Sequence, residues 1–178
     1  MDRLFMGYVK LNGKKCAQKL KGGQYLTLAQ ARKLDGYGGV LAPETIFVDV
    51  DDMAQSEKLM DIIEAEQVAC KVVATTRGKH FYFVGYPRGM KCKTHARLAI
   101  GIDADIKVGS KATYGSLKVD GHERDVIYDI EPDEDYDELP CWLRPVRYTP
   151  EFGEMEEGDG RNQALFNYIL TLQSEGFT

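Results

Sequence analysis

The stretch Ile46-Phe47-Val48-Asp49-Val50-Asp51-Asp52 constrains this chain more than any other. Its apolar residues demand burial, yet acids that no packing argument asks for are set among them. In a strand, successive side chains alternate faces, so Asp49 and Asp51 share one face while Val48 and Val50 point to the other. Two carboxylates about 7 Å apart along a strand can share a pair of divalent cations about 4 Å apart. Ionised acids held side by side repel each other and resist burial, so a counter-cation is a physical reason for the pattern. The plainer alternative is a strand that ends in an Asp-rich turn, with Asp52 capping the next helix.

A chain of 178 residues makes one domain, or one domain and the start of a second. No apolar run approaches the length that crosses a bilayer, and Met1-Asp2-Arg3 does not open a signal peptide, so no membrane partner and a cytoplasmic location are expected. The four cysteines, Cys16, Cys70, Cys92 and Cys141, are scattered without a C-x-x-C pair, which fits reduced thiols. Cys92 and His95 have a zinc-like local spacing but lack a second pair nearby.

The net charge of −5 argues at first against a nucleic-acid partner, but the charges are segregated. Residues 129–159 carry twelve acids and two bases, a net −10, which leaves the rest of the chain at +5. Before residue 36 there are eight bases and two acids, among them Lys10, Lys14, Lys15, Lys19 and Lys21. A basic body with an acidic strap can bind a polyanion, because the field near the site matters more than the total.

Taken in order, residues 4–9 read as a strand, and Thr27 with Gln30 fits a capping box that opens a short helix to about residue 33. Residues 45–50 form a strand. Ser56 opens a helix with Leu59, Met60, Ile62 and Ile63 at helical spacing. Residues 68–75 and 80–84 form the next two strands, joined by a turn at Arg77-Gly78. The β-α-β order favours an α/β or α+β sheet. Residues 86–99 read as a polar loop or short helix. Strand 102–108 sets Ile102, Ala104 and Ile106 on one face and Asp103, Asp105 and Lys107 on the other. Strands at 114–119 and 124–130 flank a turn at Asp120-Gly121-His122. Residues 139–143 form an apolar plug that pins the acidic strap, with Trp142 as its anchor. Residues 149–160 read as an acidic linker, and 162–175 as a final helix.

A strand with Asp49 and Asp51, a hairpin mouth with Thr76, Arg77, Lys79 and His80, and a strand with Asp105 together resemble the catalytic motifs of the archaeo-eukaryotic primase superfamily. These are a D-x-D strand, a small-x-His motif (Gly78-Lys79-His80) and a third Asp. The surrounding text is most similar to the phage and plasmid branch: Thr75-Thr76-Arg77-Gly78-Lys79-His80-Phe81-Tyr82-Phe83, Asp105-Ile106-Lys107, Glu138-Leu139-Pro140-Cys141-Trp142-Leu143 and Gly160-Arg161-Asn162-Gln163-Ala164-Leu165-Phe166. The likeness spans residues 36–170 or so.

The resemblance implies an α+β fold of mixed or antiparallel sheets with flanking helices, one half RRM-like. It implies a catalytic domain over 1–148, the linker 149–160, and over 161–178 the start of a helical domain cut from a longer protein. It also implies a template-dependent nucleotidyltransferase, a DNA primase or polymerase of a phage or mobile element acting in its host's cytoplasm. Two Mg²⁺ or Mn²⁺ ions would be held by Asp49, Asp51 and Asp105, with Asp103 a competing third ligand. Hard oxygen donors suit those ions. His80, Lys79, Arg77, Thr76 and Lys107 would hold the nucleotide, supplying positive charge where charge accumulates on the transferring phosphorus. The implied partners are a single-stranded DNA template, NTP or dNTP, and a replicative helicase in the same or a separate chain. Two other readings stand beside this one: a non-catalytic single-stranded nucleic-acid-binding module of a replication initiator, and a small metal-dependent phosphohydrolase that uses no template.

Overall fold

Strict alternation along β4 (Thr45–Val50) sets the layering of the molecule. Ile46, Val48 and Val50 enter one apolar core, while Phe47 enters another on the opposite side of the same strand. The structure, a computed structural model, describes residues 3–147, 149–150, 155, 160–174 and 176–177. Most of the acidic linker expected at 149–160 lies outside the described residues.

The chain folds into two antiparallel sheets and few helices, an α+β fold. The strands are β1 (Phe5–Asn12), β2 (Lys15–Cys16), β3 (Tyr37–Leu41), β4, β5 (Lys71–Ala74), β6 (Lys79–Val84), β7 (Lys93–Arg97), β8 (Asp103–Val108), β9 (Tyr114–Val119), β10 (His122–Glu123) and β11 (Val126–Tyr128). The smaller sheet runs β10-β9-β3-β1-β2 and the larger β11-β5-β6-β4-β8-β7. The helices are α1 (Leu28–Ala31), α2 (Met53–Ala65) and α3 (Arg161–Ser174). β4 and β5 both pair antiparallel to β6, so the β4-α2-β5 unit is split by a strand that enters between its two arms.

Burial explains the order of the layers. Leu59, Met60 and Ile63 of α2 pack on Val48, Val50, Phe81, Ile106 and Val108 of the larger sheet. On its other face Phe47, Val73 and Tyr82 meet Phe5, Tyr8, Tyr37 and Leu41 of the smaller sheet. Full burial of such side chains stabilises by about 1.5–3 kcal/mol each. β6 is covered on both sides, which is why Phe81, Tyr82 and Phe83 are all fully buried.

Several boundaries differ from the sequence reading, each for a physical reason. α2 opens at Met53, not Ser56, because Asp52 is its cap and accepts from the Gln55 N–H at 2.8 Å. The capping box at Thr27 and Gln30 forms as expected, but its helix is only four residues long. Residues 93–97, expected as polar loop or helix, form the edge strand β7; a polar strand carries no hydrophobic period to reveal it. The Asp120-Gly121 turn has positive φ at both positions, 49° and 82°, the mirror-image hairpin turn that Asp-Gly favours. In the plug, Leu139 and Leu143 are the buried anchors and Trp142 only half-buried beside them. The strap is tied down through Asp137, whose N–H donates to Ala69 O and whose carbonyl accepts from the Val84 N–H.

The hairpin mouth depends on one close approach. A Cβ on Gly78 would sit 1.9 Å from the Val50 carbonyl oxygen, a backbone atom with no room to yield. Gly78→Ala is therefore expected to destabilise the fold by about 1–3 kcal/mol, read as a lower urea midpoint with unchanged slope. An unchanged midpoint would contradict this packing.

Candidate functional site

The register of three neighbouring strands builds the site. Asp49 on β4 lies directly opposite His80 on β6 and directly opposite Asp105 on β8. Directly opposed residues have Cβ atoms about 4.5–5.5 Å apart. One row across the sheet therefore reads His80, Asp49, Asp105, and Lys107 stands two residues further along β8. All four face the smaller sheet, into a cavity of about 400 Å³. Asp51, Thr75 and Arg77 line its near side; Lys14, Leu20, Thr113, Tyr114 and Ser116 close it from the smaller sheet, and Arg124 from where the chain crosses between sheets.

Asp49 is the most enclosed acid of the row, its side chain 14% exposed. Its Oδ2 meets Lys107 Nζ at 3.4 Å, and its Oδ1 lies 3.2 Å from His80 Nε2. Burial pushes its carboxyl upward, but the adjoining His80 ring and the Lys107 ammonium outweigh that and hold it well below the usual carboxylate range. Asp105 accepts from the backbone N–H of His95 at 2.9 Å. That N–H is aimed by a bulge in β7, where His95 has a φ of 49°, left-handed backbone that a non-glycine residue rarely takes. At the rim Asp51 pairs with Arg77 at 2.6 Å, both side chains more than half exposed. Lys107 also lies over the Phe47 ring, 4.9 Å from its centre.

His80 is buried and its pKa lowered, desolvation outweighing the opposing pull of Asp49. Arg124 Nη1 stands 3.1 Å from Nε2, and Tyr82 Oη 3.2 Å from Nδ1. Asp49 Oδ1 is buried and makes no well-aligned hydrogen bond, although His80 Nε2 lies 3.2 Å away. Tyr82 reaches this position because β9 has Gly115 there; a Cβ would sit 2.2 Å from the Tyr82 hydroxyl.

The sequence-derived residues divide into two groups. Asp49, Asp51, Arg77, His80, Asp105 and Lys107 all line the one cavity. Asp103 does not; it pairs with Arg97 at 3.0 Å. Thr76 lines a neighbouring cavity of about 430 Å³ that shares Lys14, Thr75 and Arg124 with the first. Lys79, expected to hold nucleotide, is on the other face of the sheet. It is buried beside α2, with Nζ 2.5 Å from Glu57 and 3.5 Å from Ser56 Oγ. Alternation dictates this correction: if His80 faces the cavity, Lys79 faces the helix. The sequence reading missed Arg124, whose only local signal is its place after the Asp-Gly turn.

Among the described residues, no three His, Cys, Asp or Glu side chains are drawn together closely enough to hold a metal ion, at Cys92 and His95 or here. All four cysteines are free thiols. The donors of the row nonetheless suit a hard divalent cation: Asp49 and Asp105 are opposed oxygen donors, and Asp49 Oδ1 is buried without a well-aligned hydrogen bond. No helix among the described residues is long and apolar enough to cross a membrane. Comparison with protein-family models, with curated proteins and with solved structures finds no match.

The buried neutral imidazole gives a pH signature. In the unfolded chain His80 takes up a proton below about pH 6.5, while in the fold its lowered pKa keeps it neutral. Stability is thus fully present above that pH and falls as pH drops below it. Between pH 7.5 and 5.5 the wild type is expected to lose unfolding free energy that His80→Gln does not, by at most about 1.4 kcal/mol per pH unit. Urea titrations with the same pH slope for both proteins would contradict a neutral buried ring among Asp49, Lys107, Tyr82 and Arg124.

Proposed function

We propose that this chain is a nucleotidyltransferase of the primase-polymerase kind, joining nucleotides by phosphoryl transfer on a nucleic-acid template. One observation carries the reading: the row His80, Asp49, Asp105 across β6, β4 and β8, at the floor of a cavity that Arg77, Lys107 and Arg124 also line. Acids for a cation and bases for a polyphosphate share one pocket, which phosphoryl transfer requires. The motif spacing that resembles the archaeo-eukaryotic primases supports the same reading. So does the β5-β6-β4-β8 order around α2, which is the arrangement an RRM-like half would have without its second helix.

Asp49 and Asp105, with Asp51 at the rim, would hold the Mg²⁺ or Mn²⁺ ions. When bound, such ions acidify an attacking hydroxyl and neutralise charge on the triphosphate. The rim pair of Asp51 with Arg77 is exposed and thus weak, so both side chains are free to exchange partners when substrate enters. Arg124 and Lys107 present donors toward the space above Asp49, where phosphate oxygens would gather. His80 is neutral, so it adds a directed ring nitrogen without a charge of its own. The Phe47 and Tyr82 rings beside it fix its plane.

The test is incorporation of labelled nucleotide on a primed single-stranded template with Mn²⁺. Asp49→Ala and Asp105→Ala are each expected to lower incorporation by at least about 100-fold, with template affinity little changed. Arg124→Ala is expected to raise the KM for nucleotide by about 10-fold, the loss of one charged hydrogen bond, whereas Lys79→Met leaves it within about 2-fold. Full activity in both carboxylate variants would overturn the reading. Template binding without incorporation in the wild type would favour a binding module, and template-free nucleotide hydrolysis a phosphohydrolase.

A further inference from the structure

The Lys-rich segment of the sequence has no part in the row of catalytic candidates, yet the fold brings it to the mouth of their cavity. Residues 10–23 contain Lys10, Lys14, Lys15, Lys19 and Lys21 and no acid. All five lysines are exposed, and none has an ion-pair partner among the described residues. The segment leaves β1, turns through β2 and returns as a loop beside β9.

This loop is held in place by two tyrosines. Tyr114 Oη donates to Lys14 O and accepts from the Cys16 N–H, both at 3.0 Å. Tyr25 Oη donates to Leu20 O at 2.5 Å. Lys14 and Leu20 are the two residues of the loop that line the cavity, so each hydroxyl fixes the backbone of a lining residue. Leu20, Cys16, Tyr25 and Tyr114 pack on a small core of Val9, Leu11 and Val40, which gives the loop an apolar underside. Lys14 also lines the adjoining cavity of about 430 Å³, where Arg124 and His122 stand beside Asp120, Glu123 and Asp125.

We propose that this loop is a phosphate rail for a nucleic-acid single strand, with Lys15, Lys19 and Lys21 contacting its backbone just outside the cavity. The proposal rests on the nucleotidyltransferase reading for what the strand is doing there. The charge pattern favours a polyanion over a lone nucleotide: the loop carries five exposed lysines and no acid, and of these only Lys14 lines the cavity that would hold a triphosphate. Residues 137–139 of the acidic strap, which would repel the strand, bond to Val84 and Gly85, at the opposite end of β6 from His80. Phosphate contacts position a strand without reading its sequence, so the rail binds irrespective of base order.

The test is fluorescence anisotropy of a labelled 20-mer oligothymidylate with the full chain, in EDTA, so that binding is read without metal or catalysis. Each phosphate contact to a single strand contributes about 0.7 to the slope of log affinity against log salt. Lys15→Ala/Lys19→Ala/Lys21→Ala is expected to flatten that slope by about 2 and weaken binding by about 100-fold near 0.1 M salt. Lys58→Ala/Arg88→Ala/Lys91→Ala removes equal charge away from the loop and is expected to leave the slope within about 0.5. Equal losses in the two triple variants, or no binding by the wild type, would overturn the rail. So would a loss of self-association in place of oligonucleotide affinity, which would mean that the lysines meet the strap of a second copy. Because the lysine variant keeps Asp49, Asp105 and His80, its residual incorporation at saturating template separates failure of the rail from failure of the catalytic reading.

Discussion

The pairing register of β4 between β6 and β8 is the constraint on which the site depends. A slip by one residue would turn Asp49 into the helix-side core and bring Val48 or Val50 into the cavity. The apolar alternation forbids that slip: Ile46, Val48 and Val50 bury against α2, and an acid among them would be stranded in apolar surroundings. The hydrophobic effect therefore sets the register, and the register sets the row of His80, Asp49 and Asp105. Each acid of the site is then met by a cation or an N–H, which keeps an otherwise repulsive cluster folded.

The same logic shows what was legible in the chain. Strands β4 and β9 match their expected bounds to the residue. That Asp49, Asp51, His80 and Asp105 would share a face follows from alternation and antiparallel pairing together. Lys79 obeys the same rule with the opposite result. It adjoins His80 in sequence, but adjacent residues in a strand point apart. Its ammonium pairs with Glu57 and fastens the first turns of α2 to β6 instead. Arg124 was illegible for the opposite reason. It reaches the site only because the chain leaves the smaller sheet after β10 and joins the larger one at β11, a crossing that no local pattern encodes.

The contrast between β7 and the acidic strap makes a related point about polar sequence. β7 is a strand with almost no hydrophobic signal, held by pairing with β8 and by the burial of Ala96 alone. Its value to the site is the bulge at His95, which spends backbone conformational freedom to aim one N–H at Asp105. The strap is equally polar but stays outside the sheets, tied by Asp137 and plugged by Leu139 and Leu143. What separates them is whether their N–H groups meet an open sheet edge, a tertiary fact beyond the reach of composition.

Charge segregation then acquires a structural meaning. The basic loop after β1 borders the cavity at the His80 end of β6, and residues 137–139 of the acidic strap bond near its Val84 end. On the proposed reading, a nucleic-acid strand would meet the exposed lysines of the loop as well as Arg124, Lys107 and the carboxylates at the floor of the cavity. Asp120, Glu123 and Asp125 line the adjoining cavity, so the lysines would act against these acids as well as against those at the floor, whose charge a bound divalent ion would offset. On that reading, a chain of net charge −5 would still attract a polyanion at its basic loop, because the local field outweighs the overall sign.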